Sequence, residues 1–186
     1  MKKNLENTLQ NLREDKIILY PTDTIGGVGC DATNEEVVSK IYKIKQREES
    51  KTLIILVASI DMLQKYVAEV PDKALEVLEK VDKPTTIIYK NPIGLAKNVI
   101  ASDDTVAIRV VQDKFCHELI TRFNKPIVST SANISGKPTP KSFKEIDQAV
   151  LDAVDYVVNL YQNEVASKSS RIIQILDDGT TKVLRD

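Results

Sequence analysis

The chain has 186 residues, a length that favours one domain. Apolar residues make up 42% of it, enough for a sizeable core, and 26 basic against 27 acidic residues leave a net charge of −1, so overall charge does not indicate a nucleic-acid partner. The two cysteines lie far apart and there is one histidine, which predicts no Cys/His metal site. No stretch approaches the roughly 20 apolar residues of a membrane span, and we expect a cytoplasmic protein with free thiols.

Helical and strand patterns alternate along the chain. Leu5, Leu9 and Leu12 recur at helical spacing and predict a helix over residues 4–14. Further helices are predicted to begin at the capping box Thr33–Glu36, at Ser59, at Pro71, over 114–123 and from Ser142 to about Ala153. Apolar runs predict strands over residues 17–20, 53–57, 85–89, 106–110, 127–128, 156–159, 172–176 and 182–184.

This order of elements predicts an α/β fold (α+β in some schemes). Alternating strands and helices favour a twisted sheet with helices on both faces, in three layers. Asp178-Gly179 is typical of a hairpin turn and adds antiparallel pairing at the end of the chain. We find no linker or internal repeat and predict a single domain over residues 1–186.

The first polar segment with a potential chemical role follows the strand at 17–20. Thr22, Asp23 and Thr24 stand at the end of that strand, where open α/β sheets bind ligands, and three glycines follow closely. The spacing matches neither a Walker P-loop nor a dinucleotide fingerprint. From spacing alone, a plain turn and a ligand-binding loop are equally favoured.

The second segment is basic. Lys45, Arg47 and Lys51 run off the end of a predicted helix into a loop. Three converging cations could bind a polyphosphate, because arginine donates paired hydrogen bonds and lysine carries a compact positive charge. A solvated basic run explains the same residues, and both interpretations stay open.

The third segment, residues 129–140, again follows a strand. Its five hydroxyl groups, one amide and a glycine exceed what a turn requires, and such groups can form a neutral cradle for anions. Arg109 stands out elsewhere, because an arginine inside an apolar strand needs an anionic partner, either structural or a ligand. Ser170 precedes a predicted strand and fits a simple turn. Arg185 ends the last predicted strand and fits a simple surface charge.

Together these motifs resemble the YrdC/TsaC family of threonylcarbamoyl-adenylate synthases in its single-domain form. The resemblance rests on Tyr20-Pro-Thr-Asp-Thr24 with Gly27-Val-Gly29, Lys45-x-Arg47, Thr105-Val-Ala-Ile-Arg109 and Ser129-Thr-Ser-Ala-Asn133-Ile-Ser-Gly136. It spans residues 17–185. The chain departs from the family pattern at Gly26, where an aromatic residue is common, and at Glu48, where proline is common.

The resemblance implies a YrdC/RibB-like fold and an ATP-dependent nucleotidyltransferase. Such an enzyme makes threonylcarbamoyl-AMP and pyrophosphate from L-threonine, bicarbonate or CO2, and ATP with Mg²⁺, and partner proteins of the t6A-transferase complex then use the product to modify tRNA. By similarity, Lys45 and Arg47 are catalytic and bind phosphate, and no residue of the chain is a metal ligand. The implied nucleotide-binding residues are Lys45, Arg47, Lys51, Thr105, Ser131, Asn133, Thr139 and Arg185. The implied threonine-binding residues are Thr24, Arg109, Ser129 and Ser170.

Two alternatives stay open at this point. A paralogue with the same fold could bind tRNA or double-stranded RNA without synthase activity, using basic side chains such as Lys137, Lys141 and Arg171. A related carbamoyl transfer, as in the similar domain of hydrogenase-maturation proteins, fits less well because the longer chain of those proteins is missing.

Overall fold

The computed structural model describes residues 2–24, 26–48, 53–160 and 169–186. Its strands are β1 (Ile18–Tyr20), β2 (Gly27–Gly29), β3 (Ile54–Val57), β4 (Thr85–Lys90), β5 (Thr105–Val110), β6 (Ile127–Ser131), β7 (Tyr156–Val157), β8 (Arg171–Ile175) and β9 (Thr181–Arg185). Its α-helices are α1 (Lys2–Arg13), α2 (Glu35–Lys45), α3 (Ile60–Tyr66), α4 (Asp72–Glu79), α5 (Lys114–Phe123) and α6 (Gln148–Ala153). Short 3₁₀ turns cover Lys97–Val99 and Phe143–Glu145.

The strands form one mixed sheet in the order β7-β1-β2-β6-β3-β5-β4-β8-β9. Three neighbouring pairs are parallel, β1 with β7, β3 with β5 and β4 with β8, and the other pairs are antiparallel. Helix α1 packs on β1 and α5, and α3 packs on β3 and β5. The mixed α/β class that the alternating pattern predicts is confirmed.

Side chains alternate across the sheet and divide it into two environments. Ile55, Ile87 and Ile108 are almost fully buried and belong to one continuous apolar core. The residues one position along in the same strands point the other way and line an open cavity, as described below. The sheet therefore serves as core on one face and as the floor of a cavity on the other.

The predicted elements are mostly confirmed, with two corrections at helix starts. Asn34 caps α2, because its side chain accepts the backbone N–H groups of Glu36 and Val37. The Thr33 hydroxyl instead donates to the buried carboxylate of Asp31. The helix predicted from Ser142 begins as the 3₁₀ turn, and α6 starts later with Asp147 as its cap.

Strand β2 is an element that the sequence analysis missed. Its three residues, Gly27, Val28 and Gly29, are fully buried and pair with β1 on one side and β6 on the other. Two of its three positions lack a side chain, so the sequence has no alternating pattern that would predict a strand here. Among the residues that the structure describes, every helix is too short or too polar to span a lipid bilayer.

Candidate active site

A cavity of about 420 Å³ opens on the face of the sheet opposite the core. Its apolar floor includes Ile54, Ala107 and Ile88, which lie side by side on β3, β5 and β4. Its polar wall carries three guanidinium groups and a set of hydroxyls. The polar residues that line it are Thr24, Arg47, Arg109, Ser129, Thr130, Ser131, Thr139, Ser169, Ser170 and Arg185.

Arg109 is the most buried cation of this cavity. Its side chain is 3% exposed, and one terminal nitrogen, Nη2, lies 2.8 Å from Oδ1 of Asp23, which is itself 6% exposed. These two atoms form an ion pair, but their angle does not meet the geometry of a hydrogen bond. Among the described residues, nothing accepts a hydrogen bond from Nε of Arg109. A deeply buried guanidinium that lines a cavity is suited to bind an anionic ligand there.

Arg185 lines the same cavity and lies in the same cross-strand row as Arg109. Its guanidinium donates to the carbonyl oxygen of Ser170 at 3.0 Å and to the Ser170 hydroxyl at 3.2 Å. Burial, and then the nearby charge of Arg109, lowers the pKa of Arg185. The two guanidinium groups are partly desolvated and repel each other, so an anion bound between them would be stabilised.

A β-bulge directs the end of β9 toward the cavity. Arg185 pairs with Ile172 and Val183 pairs with Ile173, so Leu184 is an extra residue between them. Leu184 and Arg185 consequently both line the cavity although they are neighbours in the chain. The bulge supplies an apolar contact beside a cation.

Lys45 ends α2 and is only 2% exposed. Its amino group donates to the carbonyl oxygens of Ser131 at 2.5 Å and Asn133 at 2.7 Å, with Oδ1 of Asn133 at 3.4 Å. The backbone N–H of Ser135 in turn donates to the carbonyl of Lys45. Lys45 thus ties the loop after β6 to the end of α2.

Burial is also the main cause of the pKa shifts in this basic segment. It lowers the pKa of Lys45 to about 8, with the charge of Arg47 as the second cause. The pKa of Arg47 is lowered by burial as well. Arg47 lines the cavity directly, because the left-handed conformation of Gln46 turns the chain off the end of α2.

The first polar segment meets the third across β2. Gly27 pairs with Ser131, and a Cβ atom at Gly27 would lie 3.1 Å from the hydroxyl of Ser129. The glycine therefore leaves room for the Ser129 side chain. Oγ1 of Thr22 lies 3.1 Å from Oγ1 of Thr24, which holds the Thr24 side chain at the cavity wall.

The structure brings most of the predicted site residues to this one cavity and leaves others outside its lining. The predicted residues that line it are Thr24, Arg47, Arg109, Ser129, Ser131, Thr139, Ser170 and Arg185. Outside the lining, Lys45 donates a hydrogen bond to the carbonyl oxygen of Asn133, and the Thr105 hydroxyl donates one to the exposed Asp103. Lys51 lies outside the described residues.

Two residues near the cavity were not assigned a role by the sequence analysis. Asp23 was noted only as a short polar group, and its partner Arg109 is 86 residues away in the chain. Thr86 bonds to Ser170, as discussed below, and no sequence signal marked it. The cations suggested for RNA are partly engaged, since Lys137 pairs with Asp147 and Arg171 with Asp186.

The chain is similar to proteins of one family over most of its length. The Sua5/YciO/YrdC family model, described as telomere recombination, matches residues 10–186. A protein of Methanocaldococcus jannaschii named putative threonylcarbamoyl-AMP synthase is 39% identical over 178 residues, covering 95% of this chain and 83% of its own. The threonylcarbamoyl-AMP synthase of Vibrio campbellii is 31% identical over 187 residues, covering 98% of both chains.

A solved structure adds a bound ligand to the comparison. Sua5 of Pyrococcus abyssi, complexed with L-threonine, superimposes with a TM-score of 0.85 at 26% identity. The match covers 97% of this chain and 53% of that one, so the chain spans about half the length of Sua5. The extent of the family match and the shared fold show that the chain belongs to the Sua5/YciO/YrdC family.

Proposed function

We propose that the chain is an L-threonylcarbamoyladenylate synthase, which forms threonylcarbamoyl-AMP and pyrophosphate from L-threonine, bicarbonate or CO2, and ATP. The observation that carries the proposal is the single cavity in which Arg47, Arg109 and Arg185 converge with serine and threonine hydroxyls. Three cations fit a substrate set with several anionic groups. The names of the relatives and the threonine complex of Sua5 support this assignment.

The residues divide into two groups in the proposed complex. Arg109 would pair with the threonine carboxylate, and Thr24, Ser129 and Ser170 offer hydroxyls on the same cavity wall. The nucleotide would contact the remaining implied residues. Those residues are Arg47, Lys51, Thr105, Ser131, Asn133, Thr139 and Arg185, with Lys45 holding the loop that carries Ser131 and Asn133.

The proposed reaction requires that the carbamate be positioned at the α-phosphorus and that the charge on the phosphates be neutralised. The free amine of threonine adds to CO2 to give a carbamate and releases a proton to water. One carbamate oxygen then bonds to the α-phosphorus of ATP, and the bond to pyrophosphate breaks. Arg47 would neutralise charge on the phosphates as pyrophosphate leaves, and the cavity would hold the carbamate in line. No histidine or cysteine is required for these steps.

Mg²⁺ would enter as part of the ATP substrate. Of the described residues that line the cavity, none is acidic, so the wall offers hydroxyl and cationic groups rather than the carboxylates that magnesium prefers. The ion would therefore sit on the triphosphate, where it neutralises charge. The product would pass to proteins that complete the t6A modification of tRNA.

The proposal is tested by pyrophosphate release from ATP, bicarbonate and Mg²⁺ with and without L-threonine. We expect release only with threonine, and a loss of about 10²-fold or more in Arg47→Met, because an arginine that stabilises transition-state charge is removed. Lys43→Met is the matched control, since Lys43 is exposed on α2 and lies outside the cavity lining. Threonine-independent release, or none from the unaltered protein, would contradict the proposal.

A further inference from the structure

We propose that Thr86 is a positioning residue that turns the hydroxyl of Ser170 into a hydrogen-bond donor for an anionic group of the substrate, held between Arg109 and Arg185. This inference rests on the proposed function, because it assumes that the cavity binds an amino acid and a nucleotide. It assigns a role to a residue that does not itself line the cavity.

Thr86 lies on the cavity side of the sheet but beneath its surface. In the sheet it pairs with Arg109 on β5 and with Ile172 on β8. Its side chain shares a face of β4 with Ile88, which lines the cavity, yet Thr86 is 0% exposed. Its hydroxyl oxygen lies 2.9 Å from that of Ser170, which does line the cavity.

The direction of the hydrogen bond between these hydroxyls follows from their partners. The guanidinium of Arg185 has only donors, so Ser170 Oγ must accept from it. If Ser170 also donated to Thr86, the Thr86 proton would be left in the interior, where the described residues give it no other acceptor. Thr86 therefore donates to Ser170, which avoids a buried unsatisfied donor.

In this arrangement, the Ser170 hydroxyl has one hydrogen-bonding group that is not yet used. A serine hydroxyl has two acceptor lone pairs and one proton. Arg185 and Thr86 occupy both lone pairs, so the proton is the group that Ser170 has left to offer. Ser170 is only 2% exposed and faces the cavity, so a ligand there meets a donor and no acceptor.

A hydrogen-bond donor at Ser170 is consistent with the positive charges of Arg109 and Arg185, because all three groups would bind an anion. Arg109 and Arg185 both line the cavity, and the charge of Arg109 contributes to the lowered pKa of Arg185. An anionic oxygen between the two guanidinium groups would relieve their repulsion and accept the Ser170 proton. Both the threonine carboxylate and a phosphate oxygen of ATP have this chemistry.

The test measures binding of each ligand alone by calorimetry. In Thr86→Val, which keeps the shape but loses the hydroxyl, Ser170 is free to rotate, and we expect the Kd of either L-threonine or ATP to rise about three- to tenfold. The ligand that loses affinity identifies the anionic group. With threonine as the ligand, its KM should rise more than kcat falls, because binding rather than chemistry is affected.

A double-mutant cycle separates positioning from a general structural effect. If Thr86 acts through Ser170, Thr86→Val should have little further effect in a Ser170→Ala background. Thr85→Val is the matched control, since Thr85 lies on the opposite face of β4 and bonds to the carbonyl of Lys83. Should Thr86→Val not fold, Thr86→Ser and Thr86→Ala provide the same comparison, because both lose the methyl group and only the alanine loses the hydroxyl.

Unchanged affinity for both ligands in a folded Thr86→Val protein would overturn the inference, as would additive effects of the Thr86 and Ser170 substitutions. An equal loss in Thr85→Val would also overturn it. These outcomes all require an unaltered protein that binds its ligands. If the unaltered protein binds neither threonine nor ATP, the proposed function fails as well.

Discussion

Lys45 is a buried cation whose three oxygen contacts belong to Ser131 at the end of β6 and to Asn133 in the loop that follows. A charged ammonium group donates three hydrogen bonds, whereas the neutral amine donates two, so deprotonation weakens the tie to Ser131 and Asn133. The pKa of Lys45 is lowered to about 8, mainly by burial. Its charge is therefore lost at a pH where an ordinary lysine is still protonated.

This lowered pKa predicts a pH dependence of ATP binding. If ATP binds as proposed, its phosphates would favour the protonated form of Lys45. By linkage, the affinity for ATP would then be highest below the pKa of free Lys45 and would fall as the pH rises through about 8. We expect the Kd to rise up to about tenfold per unit of pKa shift on binding. Calorimetry with Mg²⁺-ATP from pH 7 to about pH 9.5 measures this change.

Two variants assign the titration to its residue. Lys45→Met should bind ATP more weakly at neutral pH and lose the change near pH 8. Lys43→Met, on the exposed face of the same helix, should keep it. A pH profile of Lys45→Met that parallels that of the unaltered protein would assign the dependence to another group.

Single residues show where sequence reasoning reaches its limit. Arg109 could be recognised as needing an anionic partner, because an arginine in an apolar strand is costly to bury alone. That Asp23 contacts it could not be recognised, since the contact depends on the tertiary fold. The roles assigned to the cavity residues stay predictions, although the structure places most of them together.

At the scale of elements, β2 depends on having glycine at its ends. A Cβ atom at Gly29 would lie 2.2 Å from the carbonyl oxygen of Val128 and 2.7 Å from the ring of Tyr20. Real Cβ atoms do not approach backbone oxygen so closely, so the strand next to β6 must shift if Gly29 gains a side chain. Glycine here allows the aromatic ring of Tyr20 to cross β2.

We therefore expect Gly29→Ala to lower the free energy of unfolding by about 1–3 kcal/mol or more, through overpacking. Gly26→Ala is the matched control, because its Cβ atom would meet its nearest neighbour, the carbonyl oxygen of Tyr20, at 3.9 Å, an ordinary contact. Urea denaturation followed by circular dichroism gives both values. Similar stability of the two variants would show that β2 can move away from β6 at little cost.

The elements that the sequence predicts well have strong periodic patterns. Helix α5 has the predicted bounds because its apolar residues repeat on one face and Asp113 caps it. The start of α2 was shifted by one residue, since Thr33 and Asn34 are both good caps and the choice depends on the tertiary position of Asp31. Strand β2 has no periodic pattern to detect, as two of its three residues are glycine.

On the scale of the whole molecule, the sheet interleaves distant parts of the chain. Strand β6, from the second half, lies between β2 and β3, and β7 pairs with β1. Strand β8 is likewise joined to β4 rather than to its neighbour in sequence, β7. Any cut of the described chain between two strands therefore separates strands that pair with each other. One core includes buried residues from β1 to β6.

This topology predicts that the protein unfolds as one cooperative unit. The urea transitions followed by far-ultraviolet circular dichroism and by tyrosine fluorescence should coincide, because Tyr20 on β1 and Tyr89 on β4 are buried in the same core. Ligands that bind the folded chain should move both transitions together: Mg²⁺-ATP and threonine at 100 times their Kd would each add about 2.7 kcal/mol. Two separated transitions, or a ligand shift in one probe alone, would instead divide the chain into independent units and contradict the single-domain prediction.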